Sequence, residues 1–344
     1  MLIAAFVTLA GLLSLQQTSS SPPAVKAPPA HAAPVAAETN EFWPVLCLKN
    51  RDVAVNPIDG STTEVPADAG AVWSRDRRIR AFIAPAAAPD GRGRPEIFAA
   101  RSPKVDHPAP PMQVTRGAAN PRLVGWRADG RTLVYGAGER GHARLYEIVP
   151  ETPGNDAPVA KPFTDDIGDL AEAEIGPDDT VYYYRIRSFR GKERVGDVMR
   201  LSKGQFDTVL PDADVRSLAL SPDGRHLAVG RIGRITIYDM TEPRKVVREI
   251  AFPEIDEKLY AHLAGVMAWR PDGKQLVARI TFAGGRMVAD LNAEPEPMAG
   301  DRQLFIIPLE GKVRTVSYGA AAGGHADELR WTAPPTASER RGVP

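Results

Sequence analysis

Between residues 71 and 331 one hydrophobic and polar pattern recurs: a short apolar run, a turn built on aspartate, and a second run of alternating apolar residues. The clearest copies are Leu218-Ala-Leu-Ser-Pro-Asp-Gly-Arg-His-Leu-Ala-Val229 and Met267-Ala-Trp-Arg-Pro-Asp-Gly-Lys-Gln-Leu-Val-Ala278. Looser copies begin at Ala71, Val124 and Ala173, and a partial one is Glu328-Leu-Arg-Trp331. Each copy predicts a hairpin. Proline presets φ at the first turn position, aspartate hydrogen-bonds its own backbone, and glycine takes φ > 0 without steric cost. The anchor aspartates Asp76, Asp129, Asp178, Asp223 and Asp272 stand 53, 49, 45 and 49 residues apart. Such periods suit four-stranded propeller blades.

A third strand is expected after each hairpin, at 95–99, 144–148, 197–201, 234–239 and 303–307, followed by a short outer strand. The residue three places before each anchor (Trp73, Trp126, Ile175, Leu220, Trp269, and Trp331 in the partial copy) is expected to pack between neighbouring blades. The sixth copy cannot complete a blade, because Pro334, Pro335 and Pro344 discourage strand after Trp331. Three short apolar runs at 45–48, 52–55 and 62–65, with a turn at Pro57-Ile-Asp-Gly60, are expected to join the strand at Trp331 and close the ring. The fold class that follows is all-β, a six-bladed propeller of four-stranded antiparallel blades over residues 42–344.

Ahead of that region, residues 2–15 form an apolar run too short to span a bilayer, followed by polar residues 16–21. It reads as a signal peptide or uncleaved anchor over 1–20, implying a periplasmic or secreted protein touching the membrane only through that segment, if at all. Residues 21–41 read as a Pro/Ala/Ser-rich linker. Lys plus Arg and Asp plus Glu each number 43, so no net field exists to hold nucleic acid, and no nucleic-acid partner is expected. Cys47 is the one cysteine, which excludes an internal disulfide and a multi-thiolate metal site; it reads as a small buried hydrophobe.

The turn motifs, Ser221-Pro-Asp-Gly224 and Arg270-Pro-Asp-Gly273 above all, resemble the repeat of the TolB-like family of bacterial β-propellers, and the resemblance covers about residues 42–344. It implies a fold and leaves function open, since such propellers serve as envelope scaffolds, receptor-associated modules and gatekeeping domains of peptidases.

No nucleophile elbow, His-Glu-x-x-His, Walker loop or dinucleotide loop occurs, so no catalytic residue, metal or cofactor is assigned. The acidic run Asp165, Asp166, Asp169, Glu172 and Glu174 reads as a solvated loop, and Arg185, Arg187, Arg190, Lys192 and Arg194 as the charged tip of a hairpin. Blade geometry places the residues just ahead of each innermost strand around the mouth of the central channel. Those positions carry Asn120, Asp169, Asp214, His262 and His325, with Arg122, Arg216 and Asp327 close behind. The loops joining second to third strands fall on the same face, with long ones expected at 84–94 and 281–302. This face is the expected binding surface for a protein or peptide on a non-catalytic scaffold. The alternative is a propeller hydrolase or lactonase with a metal in the channel.

Overall fold

The structure is a computed structural model that describes residues 42–48, 51–65, 71–86, 93–101, 110–150, 158–190, 193–251, 259–262, 266–284, 303–318 and 326–332, apart from single positions 75, 77, 232, 243 and 280. The segment read as signal and linker, 1–41, lies outside the described residues, as does His325.

The N-terminal strands are β1 (Trp43–Leu48), β2 (Arg51–Val55) and β3 (Thr62–Val65). Blade 1 consists of β4 (Val72–Trp73), β5 (Ile79–Ala86), β6 (Arg94–Arg101) and β7 (Met112–Gln113). Blade 2 is formed by β8 (Arg122–Trp126), β9 (Leu133–Glu139), β10 (His142–Ile148) and β11 (Lys161–Pro162). Blade 3 has the longest strands: β12 (Asp169–Ile175), β13 (Val181–Arg190), β14 (Glu193–Ser202) and β15 (Gln205–Ala213). Blade 4 contains β16 (Ser217–Leu220), β17 (His226–Arg231), β18 (Arg234–Asp239) and β19 (Lys245–Ala251). A two-stranded sheet, β20 (Leu259–His262) with β23 (Thr281–Gly284), accompanies blade 5, whose strands are β21 (Met267–Trp269), β22 (Gln275–Arg279), β24 (Gln303–Pro308) and β25 (Arg314–Ser317). Finally β26 (Ala326–Thr332) joins the N-terminal strands in the order β26-β1-β2-β3.

The result is six four-stranded antiparallel blades in a ring, closed by pairing across the two ends of the sequence. The closing register sets Pro44 opposite Trp331 and Val45 opposite Arg330. Closure hides the backbone edges that an open ring would leave unpaired.

The two clearest turns form as their chemistry requires. The amide of Gly224 donates to the Ser221 carbonyl at 2.8 Å and that of Gly273 to Arg270 at 2.8 Å, with φ of 74° and 70° at the two glycines. In blade 3 the turn ends on Asp179 instead, which still takes φ of 65°. A left-handed non-glycine costs of order 1 kcal/mol, and here its Oδ1 accepts the Ala128 amide of the blade 2 turn at 2.6 Å, an inter-blade contact that glycine cannot make.

Most apolar clusters among the described residues span two neighbouring blades. Trp126, Leu133 and Tyr135 of blade 2 pack on Ile79, Ala81 and Ile97 of blade 1. Leu170, Val181 and Tyr183 of blade 3 meet Val124, Val134 and Leu145 of blade 2. Leu46, Leu329 and Trp331 of the closing blade meet Val277, Leu304 and Ile306 of blade 5. Cys47 is buried against Trp43, Val45 and Ala54. Tyr183 and Tyr184, within the run that carries the basic residues, are core side chains.

Two loop expectations change. Strand β5 runs to Ala86, paired with Arg94, so the 84–94 loop is shorter than expected. Residues 281–284 form β23 and pair with β20, so the loop of blade 5 begins later, and 285–302 lie outside the described residues.

Candidate functional site

Asn120, Arg122 and Asp169 meet on the wall of one cavity of about 360 Å³ between blades 2 and 3. Its rim is the β9–β10 turn (Glu139, Arg140) and the tip of the β13–β14 hairpin (Phe189, Arg194), both second-to-third-strand connections, as strand order predicts. Asn120, with φ of 47°, donates from Nδ2 to the Gly138 carbonyl at 3.3 Å, tying the approach to β8 to the β9–β10 turn. Arg122 opens β8 and donates from Nη1 to the Ala171 carbonyl of β12 at 2.7 Å.

That carbonyl is available because β12 carries a bulge. Leu170 pairs with Arg185 and Glu172 with Tyr184, leaving Ala171 as the extra residue. Bulges of this kind re-aim the side chains beside them. Glu172 follows the bulge and lines the cavity, half-buried. Burial pushes its carboxyl up to about 7, and the nearby positive charges of Arg122 and Arg194 only partly offset this.

Six charged side chains therefore line the cavity: Arg122, Arg140 and Arg194 against Glu139, Asp169 and Glu172. Arg140 Nε stands 3.9 Å from Asp169 Oδ2, and its guanidinium lies over Phe189, 5.3 Å from the ring centroid. Phe189 is half exposed. Among the described residues neither Arg122 nor Arg194 has a carboxylate partner within ion-pair distance.

Asp214 and Arg216 sit next to this cavity, on the segment between β15 and β16. Arg216 Nε and Nη2 each lie 3.3 Å from an oxygen of Asp214, and the Arg194 amide donates to Asp214 Oδ1 at 3.3 Å. The Tyr184 hydroxyl lies 2.9 Å from the Arg194 carbonyl and 2.8 Å from that of Ala213, tying the hairpin to the end of β15 within blade 3. Farther up the same hairpin, Arg185 and Arg187 are held 3.2 and 3.1 Å from Asp197.

His262 and Asp327 fall on strands of other sheets. His262, expected in the loop ahead of an innermost strand, is the last residue of β20 and pairs with Thr281; tertiary pairing with β23 overrides the loop expectation. Asp327 lies in β26 of the closing blade.

The acidic run also differs from expectation. Asp166 is at the surface and accepts from His142 Nδ1 at 2.6 Å and from the Gly168 amide at 2.8 Å. Residues 169–175, however, are strand rather than solvated loop, because Leu170, Ala173 and Ile175 supply an apolar face to blade 2. Glu172, Arg194 and Phe189 are thus the site residues that sequence reasoning did not select. The apolar spacing around Glu172 was the available signal; the bulge was not.

Among the described residues no group of three or more His, Cys, Asp or Glu converges as a metal-binding cluster would. No protein-family model matches the chain, and no curated protein matches it. Among solved structures it is similar to TolB from Acinetobacter baumannii, with 17% identity and a TM-score of 0.53, over 84% of this chain and 66% of that one. It thus spans slightly less than two thirds of that protein's length. It is also similar to a chain of a nidogen/laminin complex, with 9% identity and a TM-score of 0.52, over 84% of this chain and 98% of that one. Identities this low speak to fold alone. With the six blades and the aspartate turns, they make this chain a six-bladed β-propeller of TolB-like fold.

Proposed function

We propose that this protein is an exported, non-catalytic scaffold of the cell envelope or exterior, and that its channel-mouth face binds a protein or peptide segment. The observation that carries the reading is the cavity between blades 2 and 3. It combines an exposed aromatic side chain, Phe189, with two arginines, Arg122 and Arg194, that have no carboxylate partner among the described residues. Aromatic and arginine anchors beside a concavity are what protein recognition favours. One structurally similar chain comes from a complex of nidogen with laminin, which is compatible with this use of the fold. Export rests on the apolar run at 2–15.

The direct experiment compares affinity capture from envelope extracts by the wild-type protein and by a variant with Arg122, Phe189 and Arg194 all changed to alanine. Specific capture should be lost in the variant while its melting temperature stays near wild type. Equal capture by both proteins overturns the assignment to this face. Stoichiometric metal in the purified protein, found by elemental analysis, overturns the scaffold reading in favour of a channel metalloenzyme.

A further inference from the structure

The cavity between blades 2 and 3 has a charge arrangement that polypeptide binding alone does not require. Asp169 and Arg140 stand near each other across it. Arg122 spends one N–H on the Ala171 carbonyl, and Arg194 is fixed through its backbone, by its amide on Asp214 and its carbonyl beside Tyr184. Both guanidinium groups remain without a described carboxylate partner. Glu172 lies among them, half-buried, and accepts no hydrogen bond from a described residue. A carboxyl so placed resists carrying charge, and two arginines so placed lack an anion.

We propose that this cavity is a carboxylate-binding site, in which Arg122 and Arg194 hold the carboxylate of a ligand beside Glu172. The proposal rests on the peptide-binding reading above and names the group recognised. The proton on Glu172 comes from solvent: with an anion bound nearby, ionised Glu172 meets a like charge, so binding and protonation favour each other. Glu172 already titrates near neutral pH, which places the linkage in an accessible range.

Other charges facing Glu172 do not supply the same response. Across the blade 4 side, Asp214 and Arg216 are paired with each other. On β13, Arg185 is paired with Asp197. In the cavity itself Asp169 faces Arg140, and on β10 His142 is held by Asp166 at the surface.

The test uses the full chain and three probes: an acetylated tri-leucine peptide with a free C-terminal carboxylate, the same peptide amidated, and an amidated peptide with one glutamate side chain. Affinities are measured by calorimetry at about pH 6 and about pH 8, which bracket the Glu172 titration. The carboxylate peptide should bind about tenfold more tightly than its amide at the lower pH, with proton uptake, and that preference should shrink at the higher pH. Glu172→Gln should keep the preference at both pH values, Arg194→Gln should abolish it, and His142→Gln should leave the pH dependence unchanged. Preference for the glutamate peptide over the terminal carboxylate would identify an acidic side chain as the source.

Equal binding of carboxylate and amide overturns the proposal yet leaves peptide binding standing. Binding that tightens as pH rises overturns it as well, by pointing to a cationic ligand on Glu172. No binding of any probe at millimolar concentration by protein with a wild-type melting temperature also overturns it, while envelope capture would still decide the broader reading.

Discussion

The indole nitrogen of Trp331 donates to the carbonyl of Ala268 at 3.0 Å, linking the last strand of the closing blade to the innermost strand of blade 5. The same bond recurs around the ring, from Trp269 to Ala219 at 2.9 Å and from Trp126 to Val72 at 2.9 Å. Each of these tryptophans thus does two things. It fills the gap between blades, and it satisfies a carbonyl on the neighbouring inner strand. Replacing Trp331 with phenylalanine removes the donor and keeps most of the apolar contact, so it should cost about 0.5–1.5 kcal/mol. Alanine removes both and should cost about 3–5 kcal/mol. Denaturant unfolding followed by far-ultraviolet circular dichroism separates the two.

Ring closure also depends on charge. Asp52 is fully buried on β2, and Arg330 Nη2 lies 2.6 Å from its Oδ2, from β26 across β1. Breaking a buried pair leaves one charge uncompensated, and Asp52→Ala should cost about 3–5 kcal/mol. The double variant Asp52→Ala, Arg330→Met should recover part of that loss, since no charge is then stranded. Chemical denaturation of the three proteins tests this; a double variant less stable than Asp52→Ala would show that the arginine contributes without the aspartate.

How far the sequence foretells the molecule differs by element. The aspartate turns, the tryptophan positions and the pairing of residues 45–65 with Trp331 follow from local rules: turn chemistry fixes the hairpins, and an incomplete last blade demands strands from elsewhere. Asn120, Arg122 and Asp169 come together because blade geometry is repetitive. Glu172 was hidden by its context. Read as one of five neighbouring acids it suggests solvent, whereas the bulge at Ala171, a tertiary feature without a composition signature, carries it into the cavity. The strand ending at His262 is not legible in the sequence, because pairing of β20 with β23 joins segments whose pattern does not announce it.

The turn aspartates make stability depend on acid. The Ser74 hydroxyl and then the Arg78 amide hold Asp76 below the usual carboxylate range, and Arg270 followed by other contacts does the same for Asp272. At Asp223 burial acts upward, but the Ser221 hydroxyl, 2.5 Å away, and the Arg225 amide prevail and the net direction is down. Groups depressed in the folded state contribute stability above their unfolded values, and that contribution is lost as pH falls through the folded values. The melting temperature should therefore drop as pH falls below about 4, and Ser221→Ala should flatten part of that slope. Calorimetric scans of both proteins across that range measure it.

Glu172 works in the opposite direction. Its folded value of about 7 lies above the ordinary 4.5, so the folded protein binds the proton more tightly than the unfolded chain does. Stability from this group is fully present below the unfolded value and declines as pH rises towards the folded one. Glu172→Gln keeps the shape and removes the charge that burial penalises. It should stabilise the protein by about 1–2 kcal/mol at pH near 8, after allowance for partial solvent screening, and make little difference at pH near 4. Urea unfolding at the two pH values gives the comparison. A gain confined to the acid side would mean that ionised Glu172 is held by Arg122 and Arg194 more firmly than burial disfavours it, and the cavity would then be a preformed ion-pair cluster with its arginines already occupied.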